Sequence, residues 1–286
     1  MARDLIGQSL APLPAEAAAP APSASRGGRA ARRRGRLRRA LPAISVVVFL
    51  VIWQILGRNI DPILLATPTA VAEAFADLIT NGELLPAFLT AMGDLAVGYG
   101  AAIVVGITVG IFMGRSVTFE RIINPYVNFF QATPLIALVP LVVIWFGVGF
   151  TARVVVTFVL AVWSIIINTA TGVQQTPEAL IDVGRIYKFN RRQTVMTIAL
   201  PNAVPSIFAG LRIALGKALI GVIIAQMEIS VVGLGGLVVD YGNAFKTSYL
   251  LAGIITASLV GVVAAVALEL LRRLLFPWTQ VRPETS

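Results

Sequence analysis

The sequence predicts an all-α polytopic membrane protein with about six transmembrane helices, and three observations carry that reading. Of 286 residues, 57% are hydrophobic and only 13% charged, whereas an ordinary globular domain carries about 25% charged residues. Several apolar runs approach or exceed the roughly 18–20 residues that cross a bilayer as helix. Lipid offers backbone groups no partners, so such runs must satisfy themselves as helices. The alternation over roughly ten residues that marks a barrel strand is absent.

Residues 1–40 contain PAEAAAPAPSASRGGRAARRRGRLRR, with too little apolar surface to bury, and read as a disordered tail. A cleaved leader would place its basic patch at the very start and a small-residue cleavage site behind a short apolar core, so the tail is read as retained. The membrane domain follows over 41–277, and 278–286 form a C-terminal tail. The first span is 41–57, with Trp53 at an interface. The second, 88–114, is dense in glycine and suited to close helix packing. The others are 132–148, 152–173, 206–229 and 249–275. Between the first two spans, Thr67 and Pro68 followed by Glu73, Phe75 and Leu78 predict a capped amphipathic helix lying on the surface.

Charge orients the chain. With the arginine-rich tail inside, six spans return the C-terminus to the inside. Inner segments then hold 18 basic residues, against three outside (Arg58, Arg153 and Lys246), the asymmetry that sets topology. The net charge of +9 is concentrated in the tail. Beside a span this reads as an orientation signal and an attraction to anionic membrane lipid. No aromatic residue interleaves the arginines, so nucleic acid is not the expected partner. The chain has no cysteine and no histidine, which removes disulfides, thiol and imidazole catalysis and the usual zinc ligands; no metal site is expected.

The longest inner loop, 174–205, reads QQTPEALIDVGRIYKFNRRQTVMTIALPNAVP. It is too polar to span and too patterned to be slack. Ala179, Leu180, Val183 and Ile186 recur at helical spacing, and Pro201 and Pro205 break the chain before the fifth span. Two short helices along the inner face are expected, able to press on a soluble partner.

This loop resembles the cytoplasmic signature of binding-protein-dependent ABC importer permeases: E-A-A, three residues, G, nine residues, then I-x-L-P. Anchoring on Ile198, Leu200 and Pro201 sets Asp182, Val183 and Gly184 on the E-A-A positions and Lys188 on the glycine, with Phe189 and Asn190 after it. Glu178-Ala179-Leu180 followed by Gly184 imitates the head of the motif but leaves thirteen residues before Ile198, so that register is rejected. If the motif's glycine serves a turn with positive φ, Lys188 must be accommodated some other way. The resemblance covers residues 68–275 and is to the nitrate/sulfonate/taurine branch. It extends through NPYVNFFQATPLIALVPLVVIWFGVG, INTATGVQQTPEALIDVGR, LPNAVPSIFAGLRIALGKAL and VGLGGLV. The branch's acidic residue near the end of the fifth span is Gln226 here, with Glu228 two residues on.

The resemblance implies a type I importer permease fold in a bacterial plasma membrane, both termini cytoplasmic. It implies a second permease copy, forming a homodimer, two ATPase subunits that receive the coupling loop, and an external solute-binding protein. ATP and magnesium would sit on the ATPase, and this chain would bind no cofactor; GxxxxGK[ST], the phosphate loop of an ATPase, does not occur in it. The solute implied is a small anion such as a sulfonate, taurine or nitrate; a pyrimidine vitamin precursor or an aromatic acid is the alternative. A stand-alone secondary transporter would predict inverted repeats and paired acidic groups at midplane, and neither is evident.

Within the spans, Arg212, Asp94, Lys217 and Glu228 need weighing, since charge there is costly and points to function. Arg212 lies near the inner start of its helix and can snorkel. Asp94, near the outer end of the second span, is expected to be solvated at the interface. Lys217 lies eleven residues past 206, roughly 16 Å of helix rise, near midplane; it can attract an anionic solute or bond to helix-end carbonyls or an acidic partner. Glu228 follows the path candidates Gln226 and Met227. Thr133 and Pro134 are the remaining candidates, Pro134 and Pro140 each removing a backbone bond from the third span and bending it.

Overall fold

A computed structural model describes residues 27–276. Every regular element among them is helical, and the chain divides into two compact units, Met1–Ile52 and Trp53–Ser286. α1 is Gly27–Asn59. The arginine-rich stretch expected to be disordered through residue 40 is therefore helical from Gly27. Arginine and alanine are good helix formers, and the span behind them supplies the nucleus that a short isolated helix lacks. The tail before Gly27, and that at 278–286, lie outside the described residues. Val46, Val47 and Ile52 of α1 are exposed, a surface suited to hydrocarbon.

α2 (Pro68–Thr80) starts where expected: the Thr67 hydroxyl accepts the Ala70 N–H at 3.3 Å, and Pro68 occupies the first turn, where its missing N–H costs nothing. It buries Val71, Ala74 and Leu78. α3 (Leu84–Arg115) carries glycine or alanine at every fourth position from Gly98 to Gly114. A Cβ on Gly98, Gly106, Gly110 or Gly114 would stand 2.5 to 2.7 Å from side-chain atoms of Thr157, Ile165, Thr169 and Val173 respectively. These partners all belong to α6 (Phe150–Gln174), and both series rise together, so α3 and α6 run parallel with their backbones in close approach. On the other side of α6, Gly210 meets Asn168 while Gly172 meets Ser206; the order reverses, and the later helix runs antiparallel. α6 is thus the central rod, buried on two sides.

Between α3 and α6 the third span departs from expectation. α4 (Val117–Ala132) is capped by Ser116 and ends at Thr133; a single 3-10 turn, Leu135–Leu138, leads into α5 (Val139–Phe146). The two arms bend by 94° at Thr133 and Pro134. The span is broken rather than kinked within 132–148. Pro134 makes the break because it disfavours helix at the residue before it. Pro140 does not bend its helix, since it sits in the first turn of α5.

The fifth span also differs. α7 (Glu178–Ile186) and α8 (Arg191–Thr194) are followed by a π turn at Val195–Ala199 and then α9 (Leu200–Glu228). Residues Arg191–Glu228 form one apolar span, so Pro201 and Pro205 do not break the chain. The Leu200 N–H reaches back five residues to the Val195 carbonyl, and this wider turn lets the ladder step across the N–H that Pro201 lacks. α10 (Gly233–Asn243) was not foreseen, and α11 (Thr247–Leu275) closes the unit. Five described helices are long and apolar enough to cross a membrane, six if the broken pair counts as one.

Candidate functional site

The loop between α6 and α9 is built as two capped helices meeting at a fixed corner. At the end of α7 the Lys188 N–H donates to the Arg185 carbonyl at 3.0 Å and the Phe189 N–H to the Gly184 carbonyl at 2.9 Å. This pair of bonds is a Schellman turn, whose central residue takes the left-handed conformation and is usually glycine. That residue is Lys188, at φ 56°. The lysine is therefore not accommodated another way; it adopts the glycine's conformation and carries the strain. Asn190 then starts α8 with a reciprocal cap, its side chain accepting the Gln193 N–H and the Gln193 side chain accepting its own, both at 2.8 Å.

Gly184 is the one buried residue of α7. A Cβ there would stand 2.9 Å from Ile198 Cδ1, so the loop's two halves touch at Gly184, Phe189 and Ile198. Leu200 and Pro201 begin α9. Asp182 is exposed and pairs with Arg185 at 2.7 Å, an ion pair worth little in solvent. Leu180, Val183, Ile186 and Tyr187 are exposed, Ile186 at 78%. The apolar face of α7 is thus turned away from its own bundle. Replacing Lys188 with glycine is expected to relieve about 1 kcal/mol of left-handed strain, seen as slower deuterium uptake over residues 184–190. Unchanged or faster uptake would count against strain there.

The path candidates separate into two groups. Thr133 and Lys217 line one cavity of about 190 Å³ together with Phe130, Gln131, Trp163 and Ile136. Lys217 Nζ donates to Gln131 Oε1 at 3.5 Å. Phe130 stacks on Trp163 at 4.5 Å, and the buried Trp163 indole N–H has no partner among the described residues. Met227 and Glu228 line a second cavity, about 610 Å³, with Ile136 and Pro140. Ile136 is common to both, so the two are contiguous along the broken span, and ten residues of α9 separate Lys217 from Met227, about 15 Å. Irregular backbone at membrane depth is tolerated where it lines such a cavity. Pro134 makes the break but lines neither cavity.

Gln226 stands elsewhere. Its side chain is fully buried, donating from Nε2 to Asp94 Oδ2 at 2.8 Å and accepting the Gly235 N–H at 3.1 Å. Asp94, expected to be solvated, is fully buried, and the same Oδ2 accepts from Arg153 Nε at 2.9 Å; Arg153 also donates to Ser230 Oγ at 2.7 Å. This knot ties α3, α6 and α9 to the start of α10. It explains the glycines of VGLGGLV: Gly233 has φ 64°, and a Cβ on it would lie 2.6 Å from the Gln226 amide. The signal available beforehand was an acid and a base near the ends of two spans expected to lie on the same side of the membrane.

Comparison with known proteins is consistent across sequence and structure. Residues 102–281 match the family described as binding-protein-dependent transport system inner membrane component. The chain is 32% identical over 255 residues to the nitrate import permease protein NrtB of Synechocystis sp., covering 84% of this chain and 90% of that protein. It is 28% identical to the taurine transport system permease protein TauC of Escherichia coli strain K12, covering 82% and 88%. Among solved structures, an inward-facing form of the MetNI methionine ABC transporter aligns with TM-score 0.52 at 20% identity, covering 65% of this chain and 95% of that one, a likeness of fold.

Proposed function

This chain belongs to the binding-protein-dependent transport system inner membrane components, the multi-pass permease subunits of ABC importers, and from that premise we propose how its parts divide the work. The cavity holding Lys217, Gln131, Thr133 and Trp163 is a way-station for a small anion such as a sulfonate, taurine or nitrate. The observation that carries this is the pairing of Lys217 with Gln131 beside the break in the third span. A cation and neutral donors at the wall of a water-accessible cavity favour an anion over a neutral solute. The named relatives import nitrate and taurine, which supports the same class.

Neither cavity is enclosed by this chain alone, as halves of a path would be, and a second copy of this chain would close them. The distribution of basic residues favours cytoplasmic termini, placing α7 and α8 inside, where the exposed face of α7 docks on an ATPase that holds ATP and magnesium. Closure of two ATPases would draw two such loops together and bias the bundle toward its outward-open state.

In proteoliposomes holding the importer with its ATPase and binding protein, Lys217→Gln is expected to slow uptake of labelled nitrate or sulfonate roughly tenfold to a hundredfold, the worth of one charge-assisted hydrogen bond. Lys217→Arg should retain much of the rate. Uptake unchanged in Lys217→Gln would remove the lysine from the path.

A further inference from the structure

A second basic cavity lies at the opposite end of the bundle from the Asp94 knot, and the reading above does not use it. It measures about 720 Å³ and is formed where three spans end: the end of α3 and start of α4, the end of α6, and the run from α7 through α8 into the π turn. Its floor is apolar, with Phe112, Phe119, Ile181 and Val195. Its polar lining is three arginines, Arg115, Arg185 and Arg191, with Ser116, Thr176 and Thr194, and no carboxylate lines it. Arg185 is shared with Asp182 at the rim, while Arg115 and Arg191 form no ion pair among the described residues. Arg115 closes the last turn of α3, where a cation suits the helix dipole. Arg191 opens α8, at the end where that dipole repels a cation, so helix electrostatics do not account for it. The Ser116 hydroxyl accepts the Phe119 N–H, leaving its own proton free to donate.

Guanidinium groups lining one cavity favour an anion with several oxygens, and phosphate matches their forked donors. The apolar floor at the ends of spans wants hydrocarbon. One molecule supplies both. We propose that this cavity binds the headgroup phosphate of an anionic phospholipid, its glycerol and first acyl carbons lying on Phe112, Phe119 and Ile181. Basic pockets between spans are a recognised setting for such headgroups. The bound lipid bears on α7 and α8 from one side and on α3, α4 and α6 from the other, so it braces the inner loop against the bundle.

The test needs no transport. The full-length chain, with whatever subunits co-purify, is delipidated in mild detergent and titrated with dioleoylphosphatidylglycerol or dioleoylphosphatidylcholine under native mass spectrometry. One phosphatidylglycerol per chain is expected to bind in preference to phosphatidylcholine. Arg115→Gln with Arg191→Gln should weaken it roughly 30-fold, with the arginines before residue 40 left intact. Arg191→Lys keeps the charge but loses the fork and should fall between the parent and the double glutamine variant, and inorganic phosphate at millimolar concentration should not compete. Both glutamines replace exposed side chains, and an unchanged melting curve will show that the fold is intact. Equal binding of the two lipids, or full affinity in the double glutamine variant, overturns the proposal. Complete competition by inorganic phosphate overturns it too, by making the ligand a free anion.

Discussion

Ile186→Asp is expected to abolish capture of the ATPase subunit while leaving the permease folded. Ile186 stands at the end of α7 with 78% of its surface exposed, and Leu180, Val183 and Tyr187 continue the same uncovered face. None of these side chains is part of the core formed by the described residues. Docking into a groove of the ATPase would bury them, and burial of one isoleucine contributes about 1.5–3 kcal/mol. An aspartate forfeits that and brings an unpaired charge into the interface, so affinity should fall on the order of 100-fold. Val183→Asp should act in the same direction. The melting temperature in detergent should not move in either variant. Wild-type capture by Ile186→Asp would exclude α7 as the docking element. Loss of capture accompanied by a collapsed melting curve would locate the effect in folding instead.

The second large effect belongs to the buried pair. Asp94→Ala and Arg153→Ala are each expected to cost about 3–5 kcal/mol, because each leaves its partner charged and buried. A thermal midpoint lower by on the order of 10 °C is the expected readout. The double variant should lose less than the sum of the singles, since it leaves no orphaned charge. Gln226→Ala should be milder, removing two neutral-donor bonds while the ion pair persists. If both single variants melted within a degree of the parent, the knot would not hold these ends of α3, α6 and α9 together. The pair's position explains why sequence reasoning assigned Asp94 to solvent. Depth along a helix was legible, but which neighbour each face meets was not, and Asp94 and Arg153 lie 59 residues apart.

The same distinction runs through the whole chain. Features encoded locally were readable: the Thr67 cap with Pro68 behind it, the apolar lengths of the second, fourth and sixth spans, and the small residues of α3. The loop over 174–205 was readable as a patterned element, and its apolar stripe proved to be the exposed face. Features decided by tertiary context were not. Pro201 and Pro205 look like breaks, yet a π turn carries a continuous span past them. Pro134 and Pro140 look alike in sequence, yet one breaks a span by 94° and the other only opens a helix. Lys188 shows the limit most clearly. Its sequence position marked it as a glycine's place, but that the lysine itself adopts φ 56° follows only from the bonds that Phe189 and Gly184 make around it. Gln226 fell out of the path because a fully buried amide with two polar partners has no face left for solute.

The account's central claim is that the chain forms a solute path moved by a separate ATPase through α7. Affinity purification from native membranes in mild detergent, with partners identified and counted by mass spectrometry, tests it most directly. The account predicts an ATPase recovered in equal number with this chain and absent from the Ile186→Asp preparation. A chain that comes away alone, and still moves solute into vesicles without ATP, would contradict it.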